Sequence, residues 1–147
     1  MSEPAAAGAR DDARPVRAGE ELDAAAVDAW LKPRLPHLQG TPEIAQYAGG
    51  ASNWTYRLRY ANDDLILRRP PAGKKAKSAH DMGREFRIQQ ALRPVFAFVP
   101  QMHAHCADES VIGAEFYVMQ RLDGLILRKN PPPGFELPRE RVAALAH

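Results

Sequence analysis

Three stretches of this chain carry side chains suited to holding a phosphorylated ligand. The first is Gly49-Gly50-Ala51-Ser52-Asn53. Paired glycines let backbone N–H groups approach an oxyanion closely, and the Ser52 hydroxyl and Asn53 amide add donors. A plain hairpin with glycines at positive φ would use the same residues. No Gly-Lys-Ser/Thr follows, and the loop opens a strand rather than a helix, which excludes a P-loop. The second stretch joins Arg68 to Glu85, 17 positions later. A carboxylate turned toward a core is costly without a cation beside it. A strand-end cation held by a helix carboxylate is the arrangement that sets positive charge over the α- and β-phosphates of ATP. The alternative is a surface Arg68, with Glu85 engaged by Arg84 or Gln89 at its own helix edge. The third is the apolar run Phe116–Gln120 leading into Arg121-Leu122-Asp123-Gly124. Its exposed main chain could read a purine edge, although any edge strand ending in a glycine turn looks alike.

Positioning these groups requires a scaffold, and the pattern supplies one. Leu22, Ala26, Trp30 and Leu31 recur at helical spacing, and Pro33 and Pro36 stop the helix. Ile44, Gln46 and Ala48 alternate with their neighbours, as do Tyr56, Leu58 and Tyr60, on either side of the glycine loop. Asn62-Asp63-Asp64 turns the chain into a third, more buried strand at Leu65–Arg68, completing a meander. Ser78 and Asp81 resemble a capping box before a helix running to about Arg93. Met82, Phe86, Gln89 and Leu92 mark one face of that helix, with Glu85 on its edge. Two more strands are expected, near Met102–Cys106 and at Glu115–Gln120, around the turn Asp108-Glu109-Ser110. The predicted architecture is α+β: a five-stranded antiparallel sheet with one inserted helix, preceded by an N-terminal amphipathic helix. Residues 1–19 read as a disordered tail, 20–124 as the lobe, and 125–147 as a linker and the start of a further lobe.

The bulk composition agrees with one globular unit. The 147 residues are 45% hydrophobic and 26% charged, with a formal net charge of +2, which removes strong polyanion binding as the default. The 13 prolines point to long loops or a tail. A single cysteine, Cys106, cannot form an internal disulfide, so a reducing, cytoplasmic setting is expected. No apolar run approaches the ~20 residues of a membrane span, and the alanine-rich start, carrying Glu3, Asp11 and Asp12, lacks the core of a secretory signal.

The order of these parts resembles the N-terminal lobe of the aminoglycoside phosphotransferase family, a branch of the protein-kinase-like fold. It is nearest the subgroup also found fused to acyl-CoA dehydrogenase domains. The residues carrying the resemblance are Gly49 through Leu58, Leu67 through Gly73, His80 through Arg87, Val111-Ile112-Gly113 and Phe116 through Met119. The resemblance implies that Gly49, Gly50, Ser52 and Asn53 form the loop over the ATP phosphates. Arg68 stands where kinases generally place a lysine, and Glu85 stands at that lysine's helix partner. Arginine keeps the charge but is bulkier and forked. Met119 would lie behind the adenine as a gatekeeper, with Gln120 and Leu122 offering main-chain contacts. The implied partners are ATP with Mg²⁺ and a hydroxyl-bearing small molecule, with no membrane and no nucleic acid. No His-Gly-Asp followed by Asn occurs in the chain, so it reads as truncated before the catalytic loop and metal ligands, and as inactive alone.

Other groupings carry less. His103, His105 and Cys106 hint at a metal site, with both histidines expected on one strand face, but no third ligand has suitable spacing. Residues 62–93 hold eight basic against four acidic side chains, including Lys74, Lys75 and Lys77. That leaves open a non-catalytic nucleotide- or polyanion-binding module, or an interaction domain without a ligand. Trp30 and Trp54 read as packing residues.

Overall fold

Alternating burial builds a sheet whose two faces differ. The structure, a computed structural model, describes residues 13–48, 53–71 and 81–122. Two helices and five strands follow one another: α1 (Ala24–Leu31), β1 (Glu43–Gln46), β2 (Trp54–Arg59), β3 (Asp64–Arg69), α2 (Met82–Leu92), β4 (Met102–Cys106) and β5 (Phe116–Gln120). All neighbouring strands are antiparallel, in the spatial order β1-β2-β3-β5-β4. This is the expected α+β class with its meander. The insertion of β5 between β3 and β4 is new, because pairing order leaves no local trace in sequence.

Side chains two apart on a strand share a face. One face of the sheet, called here the α1 face, gathers Tyr56, Leu58, Leu65, Leu67, Phe116 and Val118 with Val27 and Leu31 of α1. Trp30 meets Phe116 edge-on, with centroids 5.0 Å apart. The two tyrosines in this core keep their hydroxyls satisfied: Tyr56 donates to the Glu20 carbonyl at 2.6 Å and Tyr60 to the Asp28 carboxylate at 2.9 Å. The opposite, α2 face carries a smaller cluster of Met82, Met102 and Tyr117, with Phe86 and Met119 packed against it.

Strand β4 serves both faces through a bulge. Met102 pairs with Met119 but Ala104 with Val118, so two steps on β4 match one on β5. A one-residue slip exchanges faces, so Met102 joins Tyr117 while Cys106 joins Phe116. The bulge also corrects the expectation that His103 and His105 share a face. His105 stacks on Phe86 with centroids 5.7 Å apart. His103 instead has Asp63 and His37 as its titratable neighbours, and burial holds its imidazole below the usual range.

The helix starts are set by aspartates. Asp23 caps α1, accepting from the Ala26 N–H at 3.1 Å, so the helix begins two residues after Leu22. Asp81 caps α2, accepting from the Arg84 N–H at 2.9 Å, in place of the capping box expected to begin at Ser78; Ser78 itself lies outside the described residues. Residues 13–19 belong to the fold: Arg14 exchanges two 2.7 Å backbone hydrogen bonds with Gln46, so the described chain engages the sheet earlier than residue 20. The stretch 125–147 lies outside the described residues.

Candidate functional site

Arg68 and Glu85 meet. Alternation along β3 turns Arg68 to the α2 face while Leu67 enters the α1 core. On α2, Glu85 lies one turn beyond the Asp81 cap. The Arg68 Nη1 stands 3.1 Å from Glu85 Oε1, a contact between elements 17 residues apart. Both side chains are about one-third exposed, so the pair adds under ~1 kcal/mol to stability. What it fixes is the direction of the guanidinium.

A third group completes this arrangement, and sequence reasoning missed it. Tyr117, the partner of Arg68 across β3 and β5, is fully buried, and its hydroxyl lies 3.3 Å from the same Arg68 Nη1. Gln89, one turn beyond Glu85, donates to that hydroxyl at 3.2 Å. Burial raises the Tyr117 hydroxyl above its ordinary range, partly opposed by the nearby Arg68 charge. The available signals were the alternation of Phe116 and Tyr117 and the four-residue spacing of Glu85 and Gln89.

The start of α2 is itself pinned to the sheet. Glu115 accepts from the Gly83 N–H at 3.0 Å, and the same oxygen lies 2.6 Å from His105 Nε2. Asp81 and Glu115 thus place two carboxylates on otherwise unpaired N–H groups of the first turn, where the helix dipole favours negative charge. Gly83 permits the approach, since a Cβ there would sit 3.2 Å from Glu115 Oε1 and 3.2 Å from His105 Cε1.

At the other end of the same face, Met119 pairs with Ile66 and packs against the Tyr117 cluster. The Gln120 N–H donates to the Gln101 carbonyl at 2.8 Å, and Leu122 is exposed. Arg57 and Asp64 form a two-pronged ion pair, Nε to Oδ1 at 2.8 Å and Nη2 to Oδ2 at 2.5 Å. Arg57 is the main reason the Asp64 carboxyl is held below the usual carboxylate range. Arg121 approaches the same carboxylate at 3.9 Å and donates from Nε to the Tyr47 hydroxyl at 3.1 Å. Nothing local in the sequence links Tyr47 to Arg121.

Of the expected loop, Asn53 is buried, while Gly49, Gly50 and Ser52 lie outside the described residues, as do Lys74, Lys75 and Lys77. Trp54 packs against the core, with the Arg69 guanidinium 5.2 Å from its ring centre. Among the described residues no three His, Cys, Asp or Glu side chains group to hold a metal ion, and no helix is long and apolar enough to cross a membrane.

Comparison with known proteins decides the family. Residues 43–147 match the model of the phosphotransferase enzyme family, APH. The chain belongs to that family. It is 40% identical over 124 residues to acyl-CoA dehydrogenase family member 10 of Mus musculus, covering 84% of this chain and 12% of that protein. It is 38% identical over 127 residues to acyl-CoA dehydrogenase family member 11 of Homo sapiens, covering 84% of this chain and 16% of that one. A crystal structure from Ralstonia eutropha, whose name places it among aminoglycoside phosphotransferases, superposes with a TM-score of 0.66 at 32% identity, covering 84% of this chain and 34% of its own. The phosphotransferase family and the kinase-like sheet therefore stand together, and the chain spans a small part of each relative's length.

Proposed function

We propose that this chain is the ATP-binding lobe of a small-molecule phosphotransferase, whose reaction moves the γ-phosphoryl group of ATP to a substrate hydroxyl. The observation that carries the reading is the Arg68–Glu85 contact, braced by Tyr117, on the same sheet face as the strand end at Met119–Leu122. The spacing supports it. Arg68 pairs with Tyr117 and Leu65 with Gln120, so cation and strand end lie three residues apart, ~10 Å along the strand. A nucleotide can span that interval with its base at one end and its α- and β-phosphates at the other.

In this reading Arg68 contacts the phosphates, Glu85 and Tyr117 aim it, and Met119 backs the base. The Gln120 N–H is already engaged with Gln101, so the main-chain donor to the base falls to Leu122. Gly49, Gly50, Ser52 and Asn53 close over the phosphates. Mg²⁺ bound with ATP would neutralise charge on the transferred group. A reducing compartment such as the cytoplasm suits the lone thiol of Cys106.

Titration of the chain with Mg-ATP, followed by thermal unfolding, tests this. Binding should raise the melting temperature. Arg68→Ala should weaken ATP binding by about tenfold or more, the worth of a hydrogen bond to a charged group, and Glu85→Ala by less. Protection by heparin but not by ATP, with both variants silent, would instead establish the polyanion-binding module.

A further inference from the structure

Strands β1 and β5 are separated by β2 and β3, about 14 Å in a flat sheet. Yet the Arg121 Nε, just beyond β5, reaches the hydroxyl of Tyr47, just beyond β1, at 3.1 Å. Both residues lie on the α2 face. Tyr47 sits opposite Thr55, to whose carbonyl its N–H donates, and Thr55 is the partner of Arg68. Arg121 continues the alternation of Tyr117 and Met119. A hydrogen bond across this span requires both side chains to extend toward one another over the intervening strands. They then lie over the ground between the strand end at Gln120 and the cation at Arg68.

We infer that the Tyr47–Arg121 contact is a latch across the base end of the nucleotide site, which an entering nucleotide must displace. The inference rests on the nucleotide-site reading above and adds a gating step to it. Arg121 has somewhere to go when released, since the Asp64 carboxylate is already 3.9 Å from its Nη1 and bonded to Arg57. Opening therefore breaks the bond to Tyr47 while keeping the guanidinium beside a carboxylate. A closed resting state lowers apparent affinity by the fraction of molecules that are open. Removing the latch should thus strengthen binding, the reverse of what loss of a ligand contact does.

Stopped-flow mixing of the chain with the fluorescent analogue mant-ATP and Mg²⁺ reads this directly. Tyr47→Phe keeps the ring and deletes only the hydroxyl; Arg121→Lys keeps a cation beside Asp64 but shortens its reach. Each should raise the association rate and apparent affinity by about five- to tenfold, the worth of one hydrogen bond. Arg68→Ala should weaken binding in the Tyr47→Phe background by about the same tenfold or more as it does alone. If wild type binds and Tyr47→Phe binds equally or more weakly, the latch is overturned while the nucleotide site stands. If neither wild type nor Tyr47→Phe binds, the nucleotide site and its latch fall together.

Discussion

The two faces of the sheet are made by the same five strands and do opposite work. Phe116 and Tyr117 are adjacent in sequence and both fully buried, but Phe116 packs with Leu58, Leu65 and Trp30, whereas Tyr117 touches Arg68 and Gln89. The α1 face is mostly hydrocarbon, with its tyrosine hydroxyls bonded inward and the buried Arg69 guanidinium donating to the Pro70 and Ile112 carbonyls. The α2 face holds ion pairs at Arg57–Asp64 and Arg68–Glu85 and the His105–Glu115 contact, all partly open to water. Buried hydrocarbon supplies stability; ion pairs partly open to water supply groups that can exchange partners. Core packing and partly open ion pairs are thereby separated by the pleat of a strand.

Paired substitutions test that division. Phe116→Ala should be the costliest, about 3–5 kcal/mol from a fully buried aromatic, read by chemical denaturation. A similar loss from Tyr117→Phe would break the contrast.

Alkaline titration is the next largest effect. Burial pushes the Tyr56 hydroxyl up to about 12, raises Tyr60, helped by its bond to Asp28 and that carboxylate's charge, and raises Tyr117. A group whose protonated form is favoured by folding contributes stability in full below its ordinary value near 10, and loses it as pH climbs toward the raised value. Unfolding free energy should therefore fall between about pH 10 and 12, by on the order of 2 kcal/mol for Tyr56. Tyr56→Phe should flatten that slope, and an unchanged slope would remove Tyr56 as its source.

Tyr117→Phe itself should cost about 1 kcal/mol of stability, the net worth of a hydrogen bond. The sharper readout is ATP affinity. Loss of the hydroxyl removes one of the groups that aim Arg68, so weaker binding with no greater loss of stability than that would place the Tyr117 hydroxyl with function.

The sequence showed the elements because their signals are local. Alternation at Trp54–Arg59, the turn at Asn62-Asp63-Asp64 and the helical spacing after Asp81 each lie within a dozen residues. The Arg68–Glu85 pair was legible for a related reason: a carboxylate on the edge of an apolar helix face demands a cation. The β3-β5-β4 order and the bulge between Met102 and Ala104 were not legible, since register between distant strands is settled by packing on both faces at once. Nor was the Tyr47–Arg121 bond, whose partners are 74 residues apart and meet only through the placement of four strands.

The lone thiol acquires a use from its position. Cys106 is buried in the α1 core, its S–H donating to the Asp108 carbonyl at 3.4 Å, and burial pushes its ionisation up. Thiol reagents attack the thiolate, so alkylation must wait for that core to open. The chain thus carries a chemical clock at a single atom: its rate of labelling counts openings of the α1 face, and movements confined to the α2 face leave it silent.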